Sequence, residues 1–122
     1  MSTYYTKDHV WIRAHEKVYR VGLSTYAQQE LGEVVFVEAV KGGKKVEKGA
    51  VVCSIDSLKS TSDIYAPASG TIVEGNVHAS EENAAIVNSD PLGEGWLFSM
   101  TVENPKELDE LMSEDEYAAF IG

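Results

Sequence analysis

Lys59 is the residue of this chain best placed to do chemistry. It lies in the run Val51-Val52-Cys53-Ser54-Ile55-Asp56-Ser57-Leu58-Lys59-Ser60-Thr61-Ser62-Asp63-Ile64-Tyr65-Ala66-Pro67. A primary amine on a rigid hairpin tip can be found by a modifying enzyme and acylated, and it can then carry a prosthetic arm. Asp56 and Asp63 flank it and can pair with a free ammonium. A hairpin exposes such carboxylates to water, which argues against a Schiff-base role for the lysine. The plain alternative is an ordinary solvated surface lysine. Other constellations are thin. His9, His15 and His78 lack metal-ligand spacing, and Cys53 has no partner cysteine, so structural zinc is not expected. No nucleophile elbow, phosphate loop or dinucleotide fingerprint occurs. Gly93-Glu94-Gly95 places a carboxylate where a phosphate would be repelled, and reads as a turn before Trp96. Nothing in the sequence assembles an active site.

The elements around Lys59 read as strands. The apolar, β-branched run before it and the run ending in Ile64, Tyr65, Ala66 and Pro67 predict two strands joined by a tip. Ser57, Ser60 and Ser62 offer hydroxyls to satisfy the turn. Upstream, residues 10–12 and 18–23 predict a hairpin about a turn at 14–17. Thr25 and Gln28 suggest a capping box for a short helix over 26–31, ended by Gly32. Residues 34–37 form an apolar run expected as a buried strand, and 41–45 a glycine-bearing loop. Residues 46–52 and 67–73 echo each other on either side of the Lys59 hairpin, each a glycine turn followed by an apolar run. That echo suits two similar β layers.

Downstream, residues 80–87 suggest a helical turn and 96–102 a strand. Asn104, Pro105 and Glu107 fit the N-cap, first and third positions of a helix with Leu108, Leu111 and Met112 on one face. Ser113 and Glu116 form a second capping box, after which Tyr117, Phe120 and Ile121 can pack back. The expected fold is mainly β: a flattened β-barrel or sandwich with short helices and a C-terminal helical segment. We expect one domain over 1–122, with its core at about 4–102 and helices at about 105–121.

Composition narrows the function class. The chain has 122 residues, 43% of them hydrophobic, with 20 acidic against 10 basic side chains and a net charge of −10. Nucleic acid and anionic membrane surfaces are disfavoured as partners, and basic docking surfaces on larger enzymes are favoured. A single cysteine and the absence of a signal-peptide core or membrane-length apolar run point to a reducing compartment. A monomer in the cytoplasm is expected, or in the mitochondrial matrix if a transit peptide has been removed. Cys53 reads as core packing.

Several separated motifs stand in order along the chain: Tyr5-Thr6-Lys7-Asp8-His9-Val10-Trp11, Val21-Gly22-Leu23-Ser24-Thr25-Tyr26-Ala27-Gln28 and Leu31-Gly32-Glu33-Val34-Val35-Phe36-Val37-Glu38. The segment Ser57 to Pro67 with Ser69-Gly70 follows, then Asn88-Ser89-Asp90-Pro91-Leu92-Gly93-Glu94-Gly95-Trp96-Leu97. With the ending from Leu108 to Gly122, these motifs resemble the H-protein family of the glycine cleavage system.

This resemblance implies the lipoyl (barrel-sandwich hybrid) fold and a carrier that is not itself an enzyme. Lipoate would be amide-linked to Lys59, with Asp56, Ser57, Leu58 and Ser60 forming the turn that attaching enzymes read. In the family the arm accepts an aminomethyl group from glycine decarboxylase and presents it to a tetrahydrofolate-dependent aminomethyltransferase. Dihydrolipoyl dehydrogenase then reoxidises the arm. Asp63 matches a residue of the cleft that shelters the loaded arm, whereas Val10 stands where the family usually carries Glu. A lipoate relay needs the same lysine. A biotin carrier usually sets its lysine between methionines, against Leu58 and Ser60 here. A lipoyl domain cut from a 2-oxoacid dehydrogenase would lack the segment after Asn104, and a plain β-rich interaction module is the remaining alternative.

Overall fold

The computed structural model describes residues 3–38, 40–76 and 84–121. Among the described residues, nine strands make two sheets. Five of the strands share the larger sheet's first five places: β1 (Thr3–Tyr5), β2 (Val10–His15), β3 (Val18–Leu23), β9 (Phe98–Met100) and β8 (Gly70–Gly75), with β5 (Lys45–Val46) at its far edge. The smaller sheet runs β4 (Val34–Val37), β6 (Val51–Ser57), β7 (Thr61–Tyr65). The fold is mainly β, as the strand patterns predict.

Alternation decides which side chains fill the space between the sheets. Val10, Ile12, Val21 and Phe98 from the larger sheet meet Val37, Cys53, Ile55 and Ile64 from the smaller one in the main core. Opposite pleats of β1 and β2 put Tyr5 and Trp11 into a second cluster with Trp96 and Tyr117. Gly22 is needed under that cluster, because a Cβ there would lie 2.8 Å from the Trp11 ring. The β2–β3 hairpin closes more tightly than expected: pairing continues to His15 and Val18, leaving Glu16 and Lys17 as the turn, with Glu16 at φ 57°.

Helix α1 (Thr25–Leu31) starts one residue earlier than expected. Ser24 is its N-cap and accepts the Ala27 N–H at 3.1 Å. Gln28 therefore serves no capping box with Thr25; its side chain reaches Gly32 and Asn88 instead. Part of the helical turn expected over 80–87 lies outside the described residues, and α2 spans Ala85–Ser89. The strand expected over 96–102 is regular only from Phe98 to Met100.

Asn104 caps a helix as predicted, accepting from Lys106 N–H, but that helix is a 3-10 helix, Pro105–Glu110. Leu108 alone of the three expected face residues is buried within it. Leu111 is already extended, and Met112 exchanges two backbone hydrogen bonds with Tyr5 at 2.9 Å each. The pull of that bridge, with an apolar site for Met112 beside it, ends the helix early. The Ser113–Glu116 capping box forms in both directions and starts α3 (Glu114–Ile121). Tyr117 latches α3 to the body. Its ring stacks on Tyr5 with centroids 4.3 Å apart, and its hydroxyl lies 2.7 Å from both His9 Nδ1 and Ser24 Oγ. Phe120 stays half exposed at 49%. No described helix is long and apolar enough to cross a membrane.

Candidate functional site

The β6–β7 pairing runs to Asp56 and Thr61, so Lys59 stands near the end of the smaller sheet as one of the residues between the strands. Ser57 builds the turn. Its backbone N–H donates to the Ser60 carbonyl at 2.8 Å, and its hydroxyl accepts from the backbone N–H groups of Lys59 at 3.2 Å and Ser60 at 3.1 Å. One serine thus satisfies most of a turn that a longer loop would leave to water. Thr61 donates its hydroxyl to Asp56 Oδ1 at 2.9 Å, closing the last rung. Asp56 is therefore a strut of the hairpin. Among the described residues no carboxylate lies in ion-pair distance of Lys59.

The tip also leans on a neighbour that sequence inspection does not connect to it. Leu58 N–H donates to the Glu33 carbonyl at 3.1 Å, across the junction between α1 and β4. The Lys59 stem passes beside Gly32, where a Cβ would sit 3.7 Å from Lys59 Cε. Gly32 has φ 81° and ψ −151°, a conformation open essentially to glycine. That junction is itself clamped. Asn88 accepts the Val34 N–H at 2.8 Å, donates to the Val34 carbonyl at 2.9 Å and accepts from Gln28 at 3.2 Å. A side-chain amide here imitates the next strand along the β4 edge. Gly32 was legible as a helix stop, but Glu33, Gln28 and Asn88 carry no local signal of their role.

The surface around the tip is apolar at its centre and acidic at its rim. Leu58 is 73% exposed and Phe36 40%, while Glu33, Glu38 and Asp63 are exposed. Asp63 faces outward opposite Ser54, on the same pleat as Asp56. Val10 is a different case. It is 1% exposed and belongs to the main core, because it shares the inward pleat of β2 with Ile12. The structure therefore does not place Val10 on an open cleft with Asp63.

Cys53 lies behind the hairpin, opposite Ile64 and closed to solvent. Burial pushes its thiol up to about 12, and the nearby carboxylates of Glu38 and Asp63 add to the effect. Among the described residues no three metal-ligating side chains gather, and His78 lies outside them. What remains is a solvent-facing amine on a braced tip. It suits acylation by another protein better than catalysis.

Comparison with known proteins covers nearly the whole chain. A family model described as Glycine cleavage H-protein matches residues 3–122. A Thermotoga maritima protein named Glycine cleavage system H protein is 46% identical over 116 residues, covering 95% of this chain and 93% of that protein. One of the same name from Xanthobacter autotrophicus is 46% identical over 120 residues, covering 98% and 95%. The crystal structure of a glycine cleavage system H protein from Mycobacterium marinum superposes with a TM-score of 0.88 at 36% identity, covering 98% and 96%.

Proposed function

Because the chain belongs to the glycine cleavage H-protein family, we propose that it is a lipoyl carrier whose attachment point is Lys59. The observation that carries this is the tip itself: an exposed lysine held by Ser57 within the turn and by Glu33 across it. The fit to the group is direct. Amide formation needs a reachable amine, and removing the ammonium charge strands no ion-pair partner among the described residues. Lipoate, when bound, supplies a dithiolane that can take up an aminomethyl group and be oxidised and reduced.

The chain's own part is display. Ser57 fixes the turn, Asp56 and Thr61 lock the last rung, and the α1–β4 junction stops the tip from rocking. A braced attachment point narrows the volume the arm must search, which raises its effective concentration at a docked partner. Glycine decarboxylase, aminomethyltransferase and dihydrolipoyl dehydrogenase are the partners this assignment calls for, together with a lipoyl-attaching enzyme. Asp63 is exposed, whereas Val10, which stands where the family usually carries Glu, is enclosed in the core.

The test is intact mass and peptide mapping after incubation with a lipoyl ligase, ATP and lipoate. One lipoyl group should appear, on the peptide containing Lys59. Lys59→Arg should remain unmodified with an unchanged melting temperature. A group found on Lys41, Lys44, Lys45 or Lys48, or no modification of the wild type, would overturn the assignment.

A further inference from the structure

We propose that the outer face of the larger sheet carries an oxyanion-binding site between Arg13 and Arg20. These are the chain's only arginines, and the β2–β3 register sets them directly opposite each other. Like charges facing across a strand pair, with Cβ atoms about 5 Å apart, repel. In a chain with 20 acidic side chains, a nearby carboxylate is the obvious remedy. None lies within ion-pair distance of either, although Glu94 borders the same depression: among the described residues the ion pairs are Lys45–Glu103 and Lys48–Glu110.

Neutral contacts hold the two forks instead. Arg13 lies over the Trp11 ring at 4.5 Å and donates Nε to Thr3 Oγ1 at 3.1 Å and an Nη2 hydrogen to the Leu92 carbonyl. Arg20 lies over the Trp96 ring at 4.7 Å. Stacking positions a guanidinium without cancelling its charge, so N–H donors remain for a ligand.

Both arginines line a depression of about 200 Å³, with His15 and Gly93 also on its wall. Planar forks of this kind match carboxylate and phosphate oxygens. The ligand is therefore an oxyanion group, carried on a phosphate ester or a carboxylate. Glu94 is the carboxylate on the same wall and opposes binding. Lys59 projects from the other sheet, so the site is separate from the attachment point.

Titration of the full chain with inorganic phosphate, and separately with acetate, at constant ionic strength tests the site, read by backbone amide NMR. Phosphate should give saturable shifts centred on Arg13, Arg20 and Gly93. Saturation by phosphate alone would assign a phosphate-bearing ligand, and saturation by both anions a carboxylate as well. Arg20→Gln should weaken binding by roughly tenfold, the scale of one charge-assisted contact. Glu94→Gln should tighten it by about twofold or more by removing the opposing charge, and this variant leaves the Trp96 stacking intact. Scattered shifts that do not saturate with either anion, or one affinity for all three proteins, would refute the site. Lipoylation of Lys59 by intact mass is expected to be equal in all three, so the outcome is independent of the carrier assignment.

Discussion

At the scale of single residues, two side chains in the core give opposite lessons about charge. Val10 occupies a position with 1% exposure among aliphatic neighbours. Val10→Glu should cost about 3–5 kcal/mol at pH 7, the scale of an uncompensated buried charge. Burial would raise the folded-state pKa of the new carboxyl above the unfolded value of about 4.3, so the ionisation penalty is absent below about 4.3 and grows as pH rises from there towards the folded value. Urea midpoints of variant and wild type across pH 4 to 8 should converge on the acid side; a constant gap would mean that the glutamate finds solvent or a partner. Cys53 acts in the alkaline range. Its folded-state pKa of about 12 exceeds the unfolded value, so the unfolded state sheds its proton first and stability falls as pH climbs from about 9 towards 12. Wild type should lose on the order of a few kcal/mol over that window relative to Cys53→Ala. Parallel profiles would show that the thiol is not shielded.

At the scale of elements, the tip is only as steady as the junction it leans on. Asn88→Ala removes both bonds to Val34 and leaves the β4 edge open. A loss of about 1–3 kcal/mol in urea unfolding is expected, with faster hydrogen exchange at the Leu58 amide because its acceptor, Glu33, precedes Val34. If Leu58 kept its protection, the junction would not be what braces the tip. The Lys59 hairpin was legible because its signals are local: β-branched flanks, serines at the turn and Pro67 beyond. The Ser113–Glu116 box was legible for the same reason. The Asn88 clamp was not, since its partners lie 54 and 60 residues away in sequence. The early end of the 3-10 helix is not legible in its own residues, because the Tyr5–Met112 bridge, which competes for the chain after Glu110, joins opposite ends of the sequence. The α1 start is legible only to within one residue, because Ser24 and Thr25 are both good caps, and burial of Ser24 decides between them.

For the whole molecule, a net charge of −10 sets how partners find it. The exposed carboxylates of Glu33, Glu38 and Asp63 surround an apolar centre at Phe36 and Leu58, so long-range attraction and short-range contact share one face. Raising salt from about 50 to about 500 mM shortens the screening length from over 10 Å to under 5 Å. The attaching enzyme's KM for this protein should rise several-fold with kcat nearly unchanged, because the charges steer encounter and do not touch the reacting amine. Steady-state lipoylation across that range checks it; a fall in kcat at constant KM would place the charges in the chemistry instead.

The seclusion of Cys53 has a bearing on the traffic of sulfur. A tethered dithiol meets its own protein at an effective concentration of order millimolar, independent of how dilute the protein is. An accessible cysteine on that protein would be the first thing the arm encountered, and a mixed disulfide with it would jam the carrier. With its thiol held near 12, only about one molecule in 10⁵ carries the Cys53 thiolate at pH 7, and the strand pair keeps even that one out of reach. The protein is in this sense redox-silent towards its own cargo, leaving the arm's exchange reactions to the enzymes it visits.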